Sequence, residues 1–339
     1  MIENERIILA IETSCDETAM SILKGNKKLL ANIVSSQIDQ HSLNGGVVPE
    51  LASRLHLQNI DSVFKETMSK ANISIEDVDG IAIVNGPGLI GALHVGVMFA
   101  KSIAYLNNIP ILPIHHIAGH IYANELITDL KFPLIALVVS GGHTELVLMN
   151  NHLEFKVLGQ THDDAIGESY DKIARVLGLG YPGGPIIDKL AKSGTDIYNF
   201  PIPKNDKTYD FSYSGLKSAV INKVNTLKMK KESYNNDDIA CSFQTSAIAP
   251  LISKTLMAAK EFNAVQVVLA GGVSANSYLR EKITEEFKEK LPLVELVLPP
   301  LWATTDNAAM IASVASHYKK EAYTNNYSFS VNPNRKLAE

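Results

Sequence analysis

The 339-residue chain repeats one α/β pattern, and this repeat constrains its fold more than any other feature. Each copy has an apolar run, a polar turn, a returning apolar run and later a strand-like run that enters a glycine turn and a helix. The first copy occupies 7–11, 12–18, 19–23 and 80–88, and the second occupies 134–139, 140–144, 145–149 and 265–276. Strands that end in small residues and lead into helices are typical of α/β folds. The ordered recurrence predicts two related lobes that face each other across a cleft.

Glycine turns at the strand ends suggest what such lobes bind. Backbone N–H groups in these turns can approach an anion closely, and helix N-termini favour negative charge. A single turn such as Gly86-Pro87-Gly88 can equally be a simple tight turn. The presence of several in one chain favours a nucleotide or acyl-phosphate ligand.

Length and composition are typical of a cytosolic enzyme. The chain is too long for one ordinary hydrophobic core, and 20% of its residues are charged. The charged start is unlike a secretory signal and no apolar run looks long enough to span a bilayer, so we expect a cytoplasmic protein without a membrane segment. Cys15 and Cys241 are too far apart for a CxxC site, and we expect both to be small buried side chains.

The formal net charge of −5 argues against a protein that binds nucleic acid without a partner protein, because phosphate contacts require clustered Lys and Arg. One basic stretch contains Lys223, Lys228, Lys230 and Lys231. A solvated helix face explains these lysines equally well.

His116 and His120 stand four residues apart, which places both imidazoles on one face of a helix. This spacing suits two metal ligands, but it also occurs in polar surface pairs. Two imidazoles suit zinc or iron and require a third ligand from elsewhere. A metalloprotease motif would need glutamate directly after the first histidine, where this chain has Ile117.

Three acidic residues have two open interpretations each. Asp306 stands between a proline-rich loop and a helix-like run, so it can be a third metal ligand or only a helix cap. Asp171, in an amphipathic helix predicted over 163–178, and Asp188, in the next helix, can be surface carboxylates or hydrogen-bond acceptors for ribose hydroxyls.

A set of motifs together resembles the tRNA N6-adenosine threonylcarbamoyltransferase family, whose bacterial members are called TsaD and whose older name is O-sialoglycoprotein endopeptidase. The resemblance covers about residues 7 to 317. The motifs are IETSCDET at 11–18, NGPG at 85–88, HIAGH at 116–120, VSGGHT at 139–144, DFSYSGLK at 210–217, GGVSAN at 271–276 and TDNAAM at 305–310.

The resemblance implies two duplicated lobes of the actin-like, Hsp70-like and sugar-kinase-like ATPase fold. We expect an N-terminal lobe over 1–130, completed by a C-terminal helix at 306–325, and a C-terminal lobe over 131–305 with a helical insertion at 160–235. The implied reaction passes the threonylcarbamoyl group of threonylcarbamoyl-AMP to N6 of the adenosine 3′ of the anticodon, position 37, in tRNAs that read ANN codons. AMP is released.

The resemblance also implies roles for matching residues. His116, His120 and Asp306 correspond to ligands of one iron or zinc ion. The implied contacts with the adenylate are made by Val138, Val139, Ser140, Gly141, Gly142, Asp171, Gly184, Asp188 and Asn276. Thr304 departs from the family, because many bacterial members have cysteine two residues before the metal aspartate. Since that position is not a ligand, the departure concerns local packing.

Asp16, in the first polar turn, is our candidate for accepting the proton of the adenine amine. The resemblance implies as partners tRNA, a paralogous TsaB-like dimerisation protein and a small TsaE-like ATPase. The alternative functions are an actin-like-fold small-molecule kinase, which has no use for the histidine pair, a metal-dependent hydrolase, and a non-catalytic scaffold, which needs no intact ligands.

Overall fold

The computed structural model describes residues 5–338, which form two compact units. The first contains the chain up to Asp129 together with the segment from Pro300 onwards, and the second contains Leu130–Pro299.

The first unit contains a five-stranded mixed sheet of order β3-β2-β1-β4-β5. The strands are β1 Ile7–Glu12, β2 Glu17–Lys24, β3 Lys28–Ser36, β4 Gly80–Gly86 and β5 Ile111–His115. β1, β2 and β3 pair antiparallel, whereas β4 pairs parallel with β1, and β5 parallel with β4.

The helices of this unit are α1 Ile38–Ser42, α2 Pro49–Ala71, α3 Ile90–Asn107, α4 His116–Tyr122 and, after the second unit, α10 Ala308–Ser316. α2 begins with a proline at its first position and ends at Asn72, whose φ of 53° is the left-handed conformation that stops many helices. Its buried residues, including His56, Ile60 and Val63, recur at helical spacing.

The second unit has the same strand arrangement. Its strands are β6 Leu134–Val139, β7 Thr144–Met149, β8 Phe155–Gln160, β9 Gln266–Ala270 and β10 Glu295–Val297. Their order, β8-β7-β6-β9-β10, reproduces position by position that of the first sheet. β6, β7 and β8 are again antiparallel, and β9 and β10 again join in parallel. The sequence repeat is therefore a repeat of topology.

The second unit's helices are α5 Ile166–Val176, α6 Gly183–Ala191, α7 Ser214–Lys230, α8 Asn236–Glu261 and α9 Ser277–Lys290. α5 begins later than the predicted start at 163, because Asp163 accepts hydrogen bonds from the backbone N–H groups of Tyr213 and Ser214 at the start of α7. The core of the unit includes Leu137 and Val139 of β6, Tyr170 of α5 and Phe243 of α8.

One helix corrects the expectation that no segment could span a bilayer. By length and composition alone, α3 is apolar enough to cross a membrane. One side of α3 packs into the first unit, where Val97, Ala100 and Ala104 belong to the hydrophobic core. Core helices pass the same test of length and composition, and 33% of α3 is buried in this way.

Candidate functional site

The histidine pair lies at the junction of β5 and α4. His115 ends the strand and its Nδ1 accepts a hydrogen bond from the backbone N–H of Ile117 at 3.1 Å, which caps the helix. His116 and His120 follow on one face of α4, with ring centroids 4.7 Å apart. Both rings are buried, so the alternative of a polar surface pair does not apply.

Asp306 reaches this pair from the segment before α10. Its Oδ1 lies 3.1 Å from Nε2 of His120 and 3.6 Å from Nε2 of His116. One nitrogen from each histidine and one oxygen from Asp306 lie within 4.8 Å of one another. Asn307, and not Asp306, caps α10, because the side chain of Asn307 accepts a hydrogen bond from the N–H of Met310 at 3.1 Å. The alternative role of Asp306 as a helix cap is therefore wrong.

Glu12, at the end of β1, is a member of this cluster that sequence reasoning missed. Its Oε2 lies 3.0 Å from Nδ1 of His116, and the side chain is fully buried. Ser14 Oγ lies 3.1 Å from the same nitrogen. The position of Glu12 at the end of a buried strand was the available signal, since strand ends commonly carry functional groups in α/β folds.

Burial and the neighbouring carboxylates shift the pKa of His116 in opposite directions. Burial lowers the pKa of the imidazole, but the carboxylates of Asp306 and Glu12 outweigh it and raise the pKa to about 9. Without a metal, His116 is therefore protonated at neutral pH. A metal bound at Nε2 would replace one proton, while Nδ1–H would still donate to Glu12, as second-sphere carboxylates commonly accept from metal-bound histidines.

Asp16 lies in the turn between β1 and β2 and is buried. The side chains of Cys15 and Glu17 lie next to its carboxylate, which acts on the pKa of both. Burial and then Asp16 raise the pKa of the Cys15 thiol well above its usual value, while burial, Asp306 and Asp16 do the same for Glu17. The Cys15 thiol therefore stays protonated at neutral pH and is a poor nucleophile.

In the second unit, the turn between β6 and β7 is held by its own backbone and by Ser140. Ser140 N–H donates to the carbonyl of His143 at 2.8 Å, and Ser140 Oγ accepts from the N–H of His143 at 3.0 Å. Val138 and Val139 are fully buried residues at the end of β6, directly before the turn. A Cβ added at Gly141 or Gly142 would meet no atom within 4 Å, which leaves open space above the turn.

Two of the remaining predicted adenylate contacts, Asp171 and Asp188, accept hydrogen bonds from the starts of helices. Asp171 Oδ1 accepts from the N–H of Gly183 at 2.7 Å, at the start of α6. Asp188 accepts from Ser277, at 3.1 Å from its N–H and 3.0 Å from its Oγ. Neither aspartate is therefore an unconstrained surface carboxylate. A Cβ at Gly184 would again meet nothing within 4 Å.

Asn276 precedes α9 and caps it, because its Oδ1 accepts from the N–H of Leu279 at 2.8 Å. Its Nδ2 donates to Gln244 Oε1 at 2.8 Å. Gln244 also accepts from the hydroxyl of Tyr170 at 3.2 Å. Gln244 and Tyr170 were not among the predicted contacts.

Comparison with known proteins assigns the chain to a family. Residues 28–313 match the family model described as TsaD, tRNA N6-adenosine threonylcarbamoyltransferase. The tRNA N6-adenosine threonylcarbamoyltransferase of Halalkalibacterium halodurans is 52% identical over 95% of this chain and 94% of its own. That of Listeria welshimeri is 49% identical over 98% of this chain and 97% of its own.

Solved structures with low sequence identity share the fold. HypF of T. kodakarensis has a TM-score of 0.64 at 13% identity and covers 92% of this chain and 47% of its own. Component A of the Acidaminococcus fermentans (R)-2-hydroxyglutaryl-CoA dehydratase has a TM-score of 0.54 at 15% identity, covering 94% of this chain and 99% of its own. The predicted actin-like α/β fold is confirmed. The extent of the family match and the identity to full-length relatives together show that the chain belongs to the tRNA N6-adenosine threonylcarbamoyltransferase family.

Proposed function

We propose that the chain transfers the threonylcarbamoyl group from threonylcarbamoyl-AMP to N6 of the adenosine at position 37 in tRNAs that read ANN codons. Family membership supports a transferase that acts on tRNA. In this reaction N6 forms a bond to the carbamoyl carbon, and the bond from that carbon to the phosphate oxygen breaks. AMP leaves, and the amine loses one proton.

One observation supports a metal centre above all others: two imidazoles and one carboxylate converge in a buried position. The carboxylate of Glu12 lies within hydrogen-bond distance of one of these imidazoles, that of His116. This nitrogen and oxygen donor set fits zinc or iron. We propose that His116, His120 and Asp306 hold one such ion. When bound, the ion would act as a Lewis acid that polarises and orients the acyl group.

For the adenylate, we propose contacts with the backbone of the Val138–Gly142 turn and with Asp171, Gly184, Asp188 and Asn276. Gly141, Gly142 and Gly184 all border open space. A ligand can therefore approach these glycines without displacing protein atoms. The N-terminus of α6, with Gly183 and Gly184 in its first turn, also favours an oxygen-rich group.

Asp16 is proposed as the group that receives or positions the departing proton. Asp16 is a buried carboxylate beside Cys15 and Glu17, and it raises the pKa of both groups. A buried carboxylate at this position is suited to general-base assistance.

We propose that the chain works in the cytoplasm with a TsaB-like dimerisation partner and a TsaE-like ATPase. An exposed apolar face of α3 suits a protein partner, because Met98, Tyr105 and Leu106 are 58%, 74% and 79% exposed. Exposed apolar patches on otherwise packed helices commonly mark protein interfaces.

The decisive experiment is mass analysis of tRNA nucleosides after the protein is mixed with both partners, threonylcarbamoyl-AMP and unmodified tRNA. We expect threonylcarbamoyladenosine to form and AMP to be released in equal amount. A kinase would instead consume ATP to phosphorylate a small molecule, and a hydrolase would release AMP without modifying tRNA. Absence of the modified nucleoside with all partners and metal present would refute the proposal.

A further inference from the structure

The C-terminal segment of the chain, residues 320–335, follows β5 towards the metal centre; we call it the strap. Thr324 exchanges two backbone hydrogen bonds with Ile111 at the start of β5, at 2.9 and 3.0 Å. Farther along, Lys101 donates to the carbonyl of Phe329 and lies 4.3 Å from the centre of its ring. The strap is thus anchored to the sheet edge and to α3 before it reaches the end of β5.

Beyond Phe329 the strap packs against the end of β4 and the glycine turn that follows it. Asn332 N–H donates to the carbonyl of Asn85 at 2.7 Å, and the Arg335 guanidinium donates to Asn85 Oδ1 at 2.6 Å. A Cβ at Gly86 would lie only 1.9 Å from the carbonyl oxygen of Asn332. Glycine at this position is therefore required by the seated strap as well as by its own φ of 154°.

The first connection from the strap to the metal ligands runs through His115. Its Nε2 donates to the backbone carbonyl of Arg335 at 3.0 Å, which leaves Nδ1 unprotonated and able to accept from Ile117 N–H at 3.1 Å. The strap therefore sets the tautomer of the residue that caps α4. His116 is the next residue in the chain.

The second connection runs through the glycine turn. Gly88 N–H donates to the carbonyl of Pro333 at 3.1 Å, and Leu89 N–H donates to the carbonyl of Ser14 at 2.7 Å. Ser14 Oγ in turn lies 3.1 Å from Nδ1 of His116. Two independent paths thus lead from the strap to the same imidazole.

We propose that the strap positions the metal centre, although no strap residue belongs to the proposed ligand set. The hydrogen bond from Arg335 to Asn85 holds the strap in place. The inference rests on the proposed metal site. Outer partners that orient metal-binding histidines typically change metal affinity by about 10- to 100-fold when they are removed. Release of the strap should act in the same way, because it frees the cap of α4 and the turn that supports Ser14.

The test compares the zinc dissociation constant of the full-length protein, Arg335→Ala, Arg335→Lys and Lys336→Ala by competition with a chromophoric chelator. Lys336 is the adjacent exposed cation and serves as the matched control. Hydrogen exchange of the strap peptide reports its release independently, because the N–H of Asn332 is protected only when it is seated on Asn85.

We expect Arg335→Ala to speed exchange of the strap and to weaken zinc binding by about tenfold. Arg335→Lys should recover part of the affinity, and Lys336→Ala should match the unmodified protein. Faster exchange with unchanged zinc affinity would overturn the proposal. Unchanged exchange would also overturn it, because Arg335 would then not hold the strap in place. If the unmodified protein itself binds no zinc or iron, the proposed metal site fails instead.

Discussion

Glu12 Oε2 lies 3.0 Å from Nδ1 of His116, so a buried carboxylate from the end of β1 orients an imidazole at the start of α4. The hydrogen bond directs Nε2 of the same ring towards Asp306. Glu12 thus supports the proposed metal centre without belonging to its three ligands.

Glu12→Gln should weaken zinc binding by about tenfold while leaving the fold intact, because glutamine keeps the shape but loses the charge that favours Nδ1–H donation. The measurement is chelator competition at neutral pH. Glu66→Gln, an exposed change on α2, is the control. Equal affinity in Glu12→Gln and the control would show that Glu12 does not support the ligand.

Single replacement of His116, His120 or Asp306 by alanine should lower bound metal well below one ion per chain, since each removes one of three donors. Metal analysis of the purified proteins measures this directly. His94→Ala removes an exposed histidine from α3 and should retain full occupancy. Full metal content in all three ligand variants would refute the assignment.

Zinc binding should weaken as the pH falls from 9 to 7. Below the pKa of about 9, His116 is protonated in the metal-free chain, and a metal must displace that proton. With one proton released, the apparent affinity should fall by up to about tenfold for each pH unit. The measurement is chelator competition across this range, corrected for chelator protonation. Affinity independent of pH would contradict proton displacement at His116.

Gly142→Val should weaken adenylate binding and leave stability nearly unchanged, because the new side chain enters open space next to the backbone donors. Gly271→Ala is the contrasting variant. Its Cβ would lie 2.5 Å from the Val139 carbonyl at a φ of 88°, so it should mainly lose stability. Calorimetry that shows wild-type adenylate affinity for Gly142→Val would exclude this contact.

Asp16→Asn should reduce transfer to tRNA by at least about tenfold while adenylate binding and metal content survive. Asparagine keeps the shape of the side chain but removes the charge. Asp39→Asn, an exposed aspartate in α1, is the control. Wild-type transfer by folded Asp16→Asn, with all partners and saturating tRNA, would remove Asp16 from the mechanism.

Much of the secondary structure could be predicted from local pattern. The hairpin strands at 134–139 and 145–149 differ from β6 and β7 by one residue at most, because buried strands read as short apolar runs. The start of α5 was placed too early, since Asp163 bonds to the beginning of α7 instead of entering the helix. β3 pairs with the adjacent β2 but was not predicted, because only Ala31 and Ile33 of it are buried. The strap was not predicted, because its partner Ile111 lies far away in the chain.

The sequence by itself determined the repeat, the family and the placement of His116 and His120 on one face of a helix. Each of these depends on local spacing or on ordered motifs. Only the tertiary structure decided that Asp306 approaches the pair while Asn307 caps α10, that Glu12 orients His116, and that Arg335 reaches Asn85. These contacts join residues far apart in the chain. Their geometry depends on how strands and helices pack, and no local periodicity encodes that packing.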